Sequence, residues 1–287
     1  MKTFLIATDF SAASQNATQY GIALAKAFNG RVILVSAYQQ VPVMVTEPLI
    51  FVAPDMCALV TQKLEAEADL LNSEKATPVE ILAKKGPNSN AILEAAKETN
   101  ADLIIAGMKG SGKTTRKFLG STVTSLARKT TIPIVVIPEG VPYRSPRTIA
   151  LANDNSSQAG THLLDAFRNL VEKFHSTLYI VRIITKKSNE VIEVLNRSSN
   201  LNKMVGKLKP LYEYPLDKNI NKALNNFIST HHVDMLAMIP HKESLPERWF
   251  LRSNTREMLF KANIPLLILP EDAHNLEVEE EYAFAEE

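Results

Sequence analysis

The sequence predicts an α/β protein of two tandem domains, each built on a five-stranded parallel sheet with helices on both faces. Three observations carry that expectation. Apolar, strand-like runs alternate with stretches of helical periodicity along the chain, as parallel strands joined by helical crossovers require. The alternation occurs twice with matching landmarks, the mark of an internal duplication. Between the copies, PEGVPYRSPR (138–147) holds three prolines and a glycine, which the interior of neither helix nor strand tolerates.

In the first copy, strands are expected at about 3–8, 31–37, 79–84, 102–107 and 133–137. KTFLIATDFS opens as a buried strand, turns at ATDFS and enters a helix near Ser11 or Ala12 that leads to the strand RVILVSA. VPVMVTEPLIFVAP (41–54) has three prolines and a glutamate and reads as a loop, followed by the helix DMCALVTQKLEAEADLL, where Cys57 is expected to pack among apolar neighbours. NAILEAAKETNADLIIAG supplies a helix and the fourth strand, Gly120-Ser121-Thr122 opens the helix VTSLARKT, and IPIVVIP (132–138) closes the copy.

The second copy follows the same plan. RTIALANDNSSQAGTHLLDAFRNLVEKFHSTLYIVRII (147–184) matches the opening unit with Asp154 on Asp9, an offset of 145. NKALNNFISTHHVDMLAMI (221–239) puts Asp234 on Asp102 at an offset of 132, which IPLLILP (264–270) keeps, so this copy is about 13 residues shorter in its middle. The expected domains are 1–143 and 144–274, followed by an acidic tail over 275–287.

Composition narrows the function classes. Of 287 residues, 45% are hydrophobic and 22% charged, enough apolar side chain for two ordinary cores. A net charge of +1 gives no field that argues for nucleic acid, and no run approaches the roughly 20 apolar residues that span a bilayer. A single cysteine excludes an internal disulfide and a cysteine-based metal site, and the opening apolar run is too short for a signal peptide, so a cytoplasmic protein is expected.

IAGMKGSGKTTRKFLGST (105–122) concentrates four of the chain's ten glycines and admits two readings. Gly107, Gly112, Lys113 and Thr114 fit the spacing of a Walker A phosphate loop. That loop needs a long helix starting at the lysine, yet Gly120 interrupts after about two turns, and the next strand ends in proline rather than a metal-binding aspartate. In the other reading, Gly107 and Gly110 let the backbone turn around an anion at the carboxyl end of strand four, and Gly120-Ser121-Thr122 presents free helix N–H groups to phosphate. Lys109, Lys113, Arg116 and Lys117 then lie in a lid over the polyphosphate or form a solvated face.

Gly107, two residues, Gly110, nine residues, then Gly120-Ser121 is similar to the ATP-binding signature of the universal stress protein family. LIATDFS, VSAY and IPIVVIP also look like that family, over essentially the whole chain as a tandem pair. The resemblance implies a flavodoxin-like, Rossmann-like sheet of order 3-2-1-4-5 in each domain and ATP, with Mg²⁺ as a companion, as cofactor. It implies adenine and ribose against Thr8, Asp9 and the backbone near Ala37, and phosphates against Gly107, Met108, Gly110, Gly120, Ser121 and Thr122. It also implies that the closing strands pair as an intrachain pseudo-dimer, with a further homodimer left open.

In the second copy Gly107 falls on Ile239, Gly110 on Lys242, Gly120 on Arg252 and Ser121 on Ser253, with Pro240 in the turn, so this half is expected to bind no nucleotide in the same way. No catalytic set is legible, and any ATP hydrolysis is expected to be slow for want of a general base or arginine finger. Plainer readings stand beside these. Asp9 can cap a helix, Trp249 can fill the degenerate pocket, and His231, His232, His241 and Glu243 lack metal-ligand spacing. The reading is therefore a nucleotide-dependent sensor or regulator; the rivals are a nucleotide-free interaction scaffold, a slow P-loop-like NTPase and an adenylyl-transfer enzyme.

Overall fold

The computed structural model describes residues 1–40, 54–73, 78–108, 119–152, 161–185, 205–239 and 263–270. These fall into two compact units that part at Tyr143 and Arg144, with residues 127–135 also clustering in the second. The first half of the chain runs β1 (Thr3–Ala7), α1 (Ala12–Ala27), β2 (Arg31–Tyr38), α2 (Met56–Ser73), β3 (Val79–Lys85), α3 (Asn88–Glu98), β4 (Leu103–Gly107), α4 (Ser121–Lys129) and β5 (Ile134–Ile137). The second runs β6 (Thr148–Ala152), α5 (Thr161–Phe174), β7 (Thr177–Val181), a 3₁₀ turn (Gly206–Leu208), β8 (Leu211–Glu213), α6 (Ile220–Thr230), β9 (Met235–Met238) and β10 (Leu266–Ile268).

Strand order is β3-β2-β1-β4-β5 in the first unit and β8-β7-β6-β9-β10 in the second. The ladders β1–β2, β1–β4 and β2–β3 are parallel, as are β6–β7, β6–β9, β7–β8 and β9–β10. Register is set by runs buried on both faces: Phe4, Leu5 and Ile6 in β1 and Leu103, Ile104 and Ile105 in β4 are all essentially inaccessible. Burying each such side chain contributes about 1.5–3 kcal/mol. α1 covers them with Ala13, Ala17 and Ala25, whose small side chains let the helix approach the sheet.

Helix ends follow from local chemistry. The Ser11 side chain accepts the N–H of Ser14 at 3.3 Å to start α1, and Asn29, at φ 51°, takes the left-handed position that releases the chain into β2. At the amino ends of the sheets Asp102 fastens the start of β1, and Asp234 does the same for β6. No helix among the described residues is long and apolar enough to cross a membrane.

Candidate functional site

The first unit's strand order changes direction beside β1, and the crevice this leaves lies at the carboxyl ends of β1 and β4, where ligands of open parallel sheets sit. β2 runs past its last pairing with β1, Ala7 opposite Val35, through Ser36, Ala37 and Tyr38. The Thr8 N–H closes on the Val35 C=O at 2.9 Å, and the Gly86 N–H on the Tyr38 C=O at 2.8 Å. Alternation along β2 therefore aims the N–H and C=O of Ala37 toward the side that β1 has left, where the described backbone offers them no partner.

The turn from β1 into α1 is braced from within. Thr8 is buried, and its Oγ1 accepts the Phe10 N–H at 3.1 Å. Asp9 Oδ1 accepts both the Ser11 N–H at 3.1 Å and the Ser11 hydroxyl at 2.5 Å. Between them Phe10 is held at φ 63°, a left-handed conformation that a bulky side chain rarely adopts, and the Lys63 ammonium lies 5.5 Å from its ring centroid. Ser11, not Asp9, is the helix cap; Asp9 anchors the capping residue.

Across the crevice, Gly107 is glycine for a reason the sequence did not disclose. A Cβ there would stand 2.8 Å from the Ala13 carbonyl oxygen and 3.1 Å from the Ser14 nitrogen, so the first turn of α1 occupies the room a side chain needs. Met108, expected to lie against phosphate, is buried, and its N–H is bonded to the Ile137 C=O at 2.8 Å. Its C=O accepts the Gly120 N–H at 2.9 Å, so that amide too is engaged.

The open donors come one residue later. Gly120 C=O accepts the Thr124 N–H at 3.0 Å, which makes Ser121, Thr122 and Val123 the first helical residues of α4. Their N–H groups have no intrahelical acceptor, and the described residues supply none from elsewhere. Ser121 is exposed and Thr122 half-buried, while Thr124 returns its hydroxyl to Gly120 C=O at 3.1 Å. This helix start is held to the unit by Val123 and Leu126 in the core and by the Ser125 hydroxyl donating to Ser89 at 2.9 Å.

Sequence reasoning passed over Glu67. It sits on α2 between the buried Leu64 and Ala68, and the Thr8 hydroxyl lies 3.3 Å from its Oε2. Burial pushes the Glu67 carboxyl up from its ordinary value, hydrogen bonds from Thr18 and Thr8 draw it part of the way back, and the charge of Asp9 adds to the rise. The available signal was a glutamate on the apolar stripe Val60, Leu64, Ala68.

Cys57 departs from expectation. It is exposed, because the buried stripe of α2 begins at Val60, and its hydrogen bond with Tyr38 raises that phenol above its ordinary value. In the second unit Ile239, aligned with Gly107, is buried. His231 stacks on Phe227 at 4.0 Å, His232 takes φ 48°, and among the described residues no three His, Cys, Asp or Glu side chains could hold a metal. Lys109, Gly110, Gly112, Lys113, Thr114, Arg116, Lys117, Asp154, Pro240, His241, Lys242, Glu243, Trp249, Arg252, Ser253 and the tail over 275–287 lie outside the described residues.

Comparison with known proteins points one way. The model of the universal stress protein family matches residues 1–138. The "universal stress protein in QAH/OAS sulfhydrylase 3′ region" of Thermus aquaticus is 32% identical over 136 residues, 47% of this chain and 98% of that protein. A universal stress protein of Synechocystis sp. is 28% identical over 137 residues, 48% of this chain and 85% of that protein. Among solved structures, a universal stress protein from Archaeoglobus fulgidus has a TM-score of 0.65 at 14% identity, covering 94% of this chain and 98% of that one, a likeness of fold.

Proposed function

The chain belongs to the universal stress protein family, and from that premise we propose that its first unit binds ATP at the carboxyl edge of its sheet and serves as a nucleotide-dependent sensor or regulator in the stress response. The observation that carries this reading is the set of open main-chain groups on one edge. Ser121, Thr122 and Val123 hold three N–H groups at a helix start, and Ala37 holds a peptide donor and acceptor past the end of β1. A helix start with free amides suits phosphate, through both its hydrogen bonds and its dipole. The Ala37 groups suit the edge of a base, and Asp9 suits ribose hydroxyls, which donate to carboxylate.

Gly107, Met108 and Gly120 enter the proposal as the frame that sets α4 against the crevice, and Gly110 as a phosphate neighbour. In this proposal Mg²⁺ arrives with the triphosphate, keeping phosphate oxygens and water among its ligands. The assignment of 1–143 as the nucleotide-binding domain, of 144–274 as its degenerate counterpart and of the cytoplasm as its setting belongs to the same proposal.

The test is to release ligand with acid from freshly isolated protein, identify it, and follow the melting temperature against added ATP. The expected result is co-purified adenine nucleotide and a saturable rise, since ligand at about 100 times its Kd adds about 2.7 kcal/mol. Protein that emerges empty and melts at one temperature with and without millimolar ATP would instead support the nucleotide-free scaffold.

A further inference from the structure

We propose that Glu67 is a positioning residue of this site: carried by α2 to the end of β1, it is joined through the Thr8 hydroxyl to the Asp9 turn, so a nucleotide there meets two communicating carboxylates. The ligand side of this inference rests on the nucleotide reading above.

The connection is a chain of hydroxyls with few protons. Thr8 Oγ1 stands 3.3 Å from Glu67 Oε2 and 3.2 Å from Ser14 Oγ, while the Phe10 N–H occupies it as acceptor. Its single proton serves one of those two acceptors at a time. Ser14 gives its proton to the Ser11 C=O at 2.9 Å, and Ser11 gives its own to Asp9. Ser11 Oγ also stands 3.4 Å from Ser14 Oγ, to which its one proton can turn instead of to Asp9, so Ser14 is an acceptor reached from both the Glu67 and the Asp9 side. When Glu67 is ionised it draws the Thr8 proton to itself. When Glu67 is protonated, the Thr8 proton is released to Ser14, on the side of the turn that holds Asp9.

Among the described residues, the groups facing Glu67 come from three elements. α1 contributes Thr18, whose hydroxyl also reaches the Ser14 C=O at 3.0 Å; the turn contributes Thr8 and the negative Asp9; on α2 itself Lys63, one turn earlier, has its ammonium over Phe10. The charge that Glu67 sees from the turn is thus one of its own sign, and a polyanion entering the crevice adds more. Nucleotide binding is therefore coupled to proton uptake at Glu67, and affinity falls as pH rises through its titration.

The experiment has two arms. Without ligand, ¹³C-carboxyl NMR follows the Glu67 titration in the wild type, in Asp9→Asn and in the isosteric Thr8→Val. The expected result is a midpoint that moves down in Asp9→Asn, which loses a repelling charge, and up in Thr8→Val, which loses a donor. Midpoints unmoved in both variants overturn the connection. With ligand, the ratio of wild-type to Glu67→Gln Kd for ATP is measured from pH 5 to 8, so that the titration of ATP itself cancels. The ratio is expected to rise with pH by on the order of fivefold; a flat ratio with intact binding overturns the positioning role. If neither protein binds ATP while the midpoints move as stated, the nucleotide reading falls and the link between the two carboxylates stands.

Discussion

Asp102 and Asp234 fasten the two sheets by the same geometry. Asp102 Oδ2 accepts the N–H groups of Lys2 and Thr3 at 2.6 and 2.9 Å, and the Asp102 N–H donates to the Thr3 C=O at 2.9 Å. Asp234 Oδ2 accepts from Arg147 and Thr148 at 2.8 and 2.9 Å, and its N–H donates to the Thr148 C=O at 2.8 Å. Replacing Asp102 by alanine leaves two amides to water and is expected to destabilise the first unit by about 1.5 kcal/mol, the low end for bonds to a charged acceptor because the carboxylate is exposed. Hydrogen exchange checks it: protection of the Thr3 amide falls in Asp102→Ala while that of Thr148 holds, and Asp234→Ala reverses the pattern.

Gly107→Val is expected to report on folding rather than on ligand. Its Cβ would meet the Ala13 carbonyl, which is backbone and cannot rotate away, so α1 must shift. A loss of about 1–3 kcal/mol follows from such overpacking, and thermal melting without nucleotide measures it. A melting temperature equal to that of the wild type would contradict the contact.

Ser121→Pro separates binding from stability. Position 121 is the first residue of α4, where proline's fixed φ suits the helix and its missing N–H breaks no intrahelical bond. Melting is expected to change little, while ATP affinity drops about tenfold or more through loss of a charge-assisted hydrogen bond. Calorimetric titration alongside thermal melting reads both, and unchanged affinity would remove Ser121 from the phosphate contacts.

Glu67 also predicts a pH signature without any ligand. Its folded-state carboxyl titrates above its ordinary value, burial being the first cause, so the folded chain holds a proton that the unfolded chain has released. The stability linked to this group is fully present below the ordinary carboxylate value and is lost as pH rises through the raised one. Glu67→Gln, which does not titrate, is expected to match the wild type in acid and to exceed it near neutrality, as denaturant melts at several pH values will show.

Local pattern carried most of the fold. The apolar runs TFLIA and LIIAG, the polar cap before α1 and the matched aspartates at the amino ends are short-range features, and they identify strands, a helix start and a repeat. The site was legible where it depends on the same local chemistry, as with the helix that opens at Ser121. It was hidden where distant segments decide. Gly107 answers to Ala13, 94 residues earlier in the chain, the Met108 amide is taken by Ile137, and Glu67 matters only because α2 returns it to Thr8. Each depends on a crossover bringing remote residues together, which periodicity along the chain does not encode.

Ala37 presents peptide atoms, not a functional side chain, and the same holds for the amides of Ser121, Thr122 and Val123. An alanine scan, the usual way to map a binding surface, deletes side chains and leaves every one of these groups in place. Such a scan will not register what these main-chain groups contribute to binding. Mapping them calls for chemistry that edits the peptide link itself: proline, or an ester substituted for the amide.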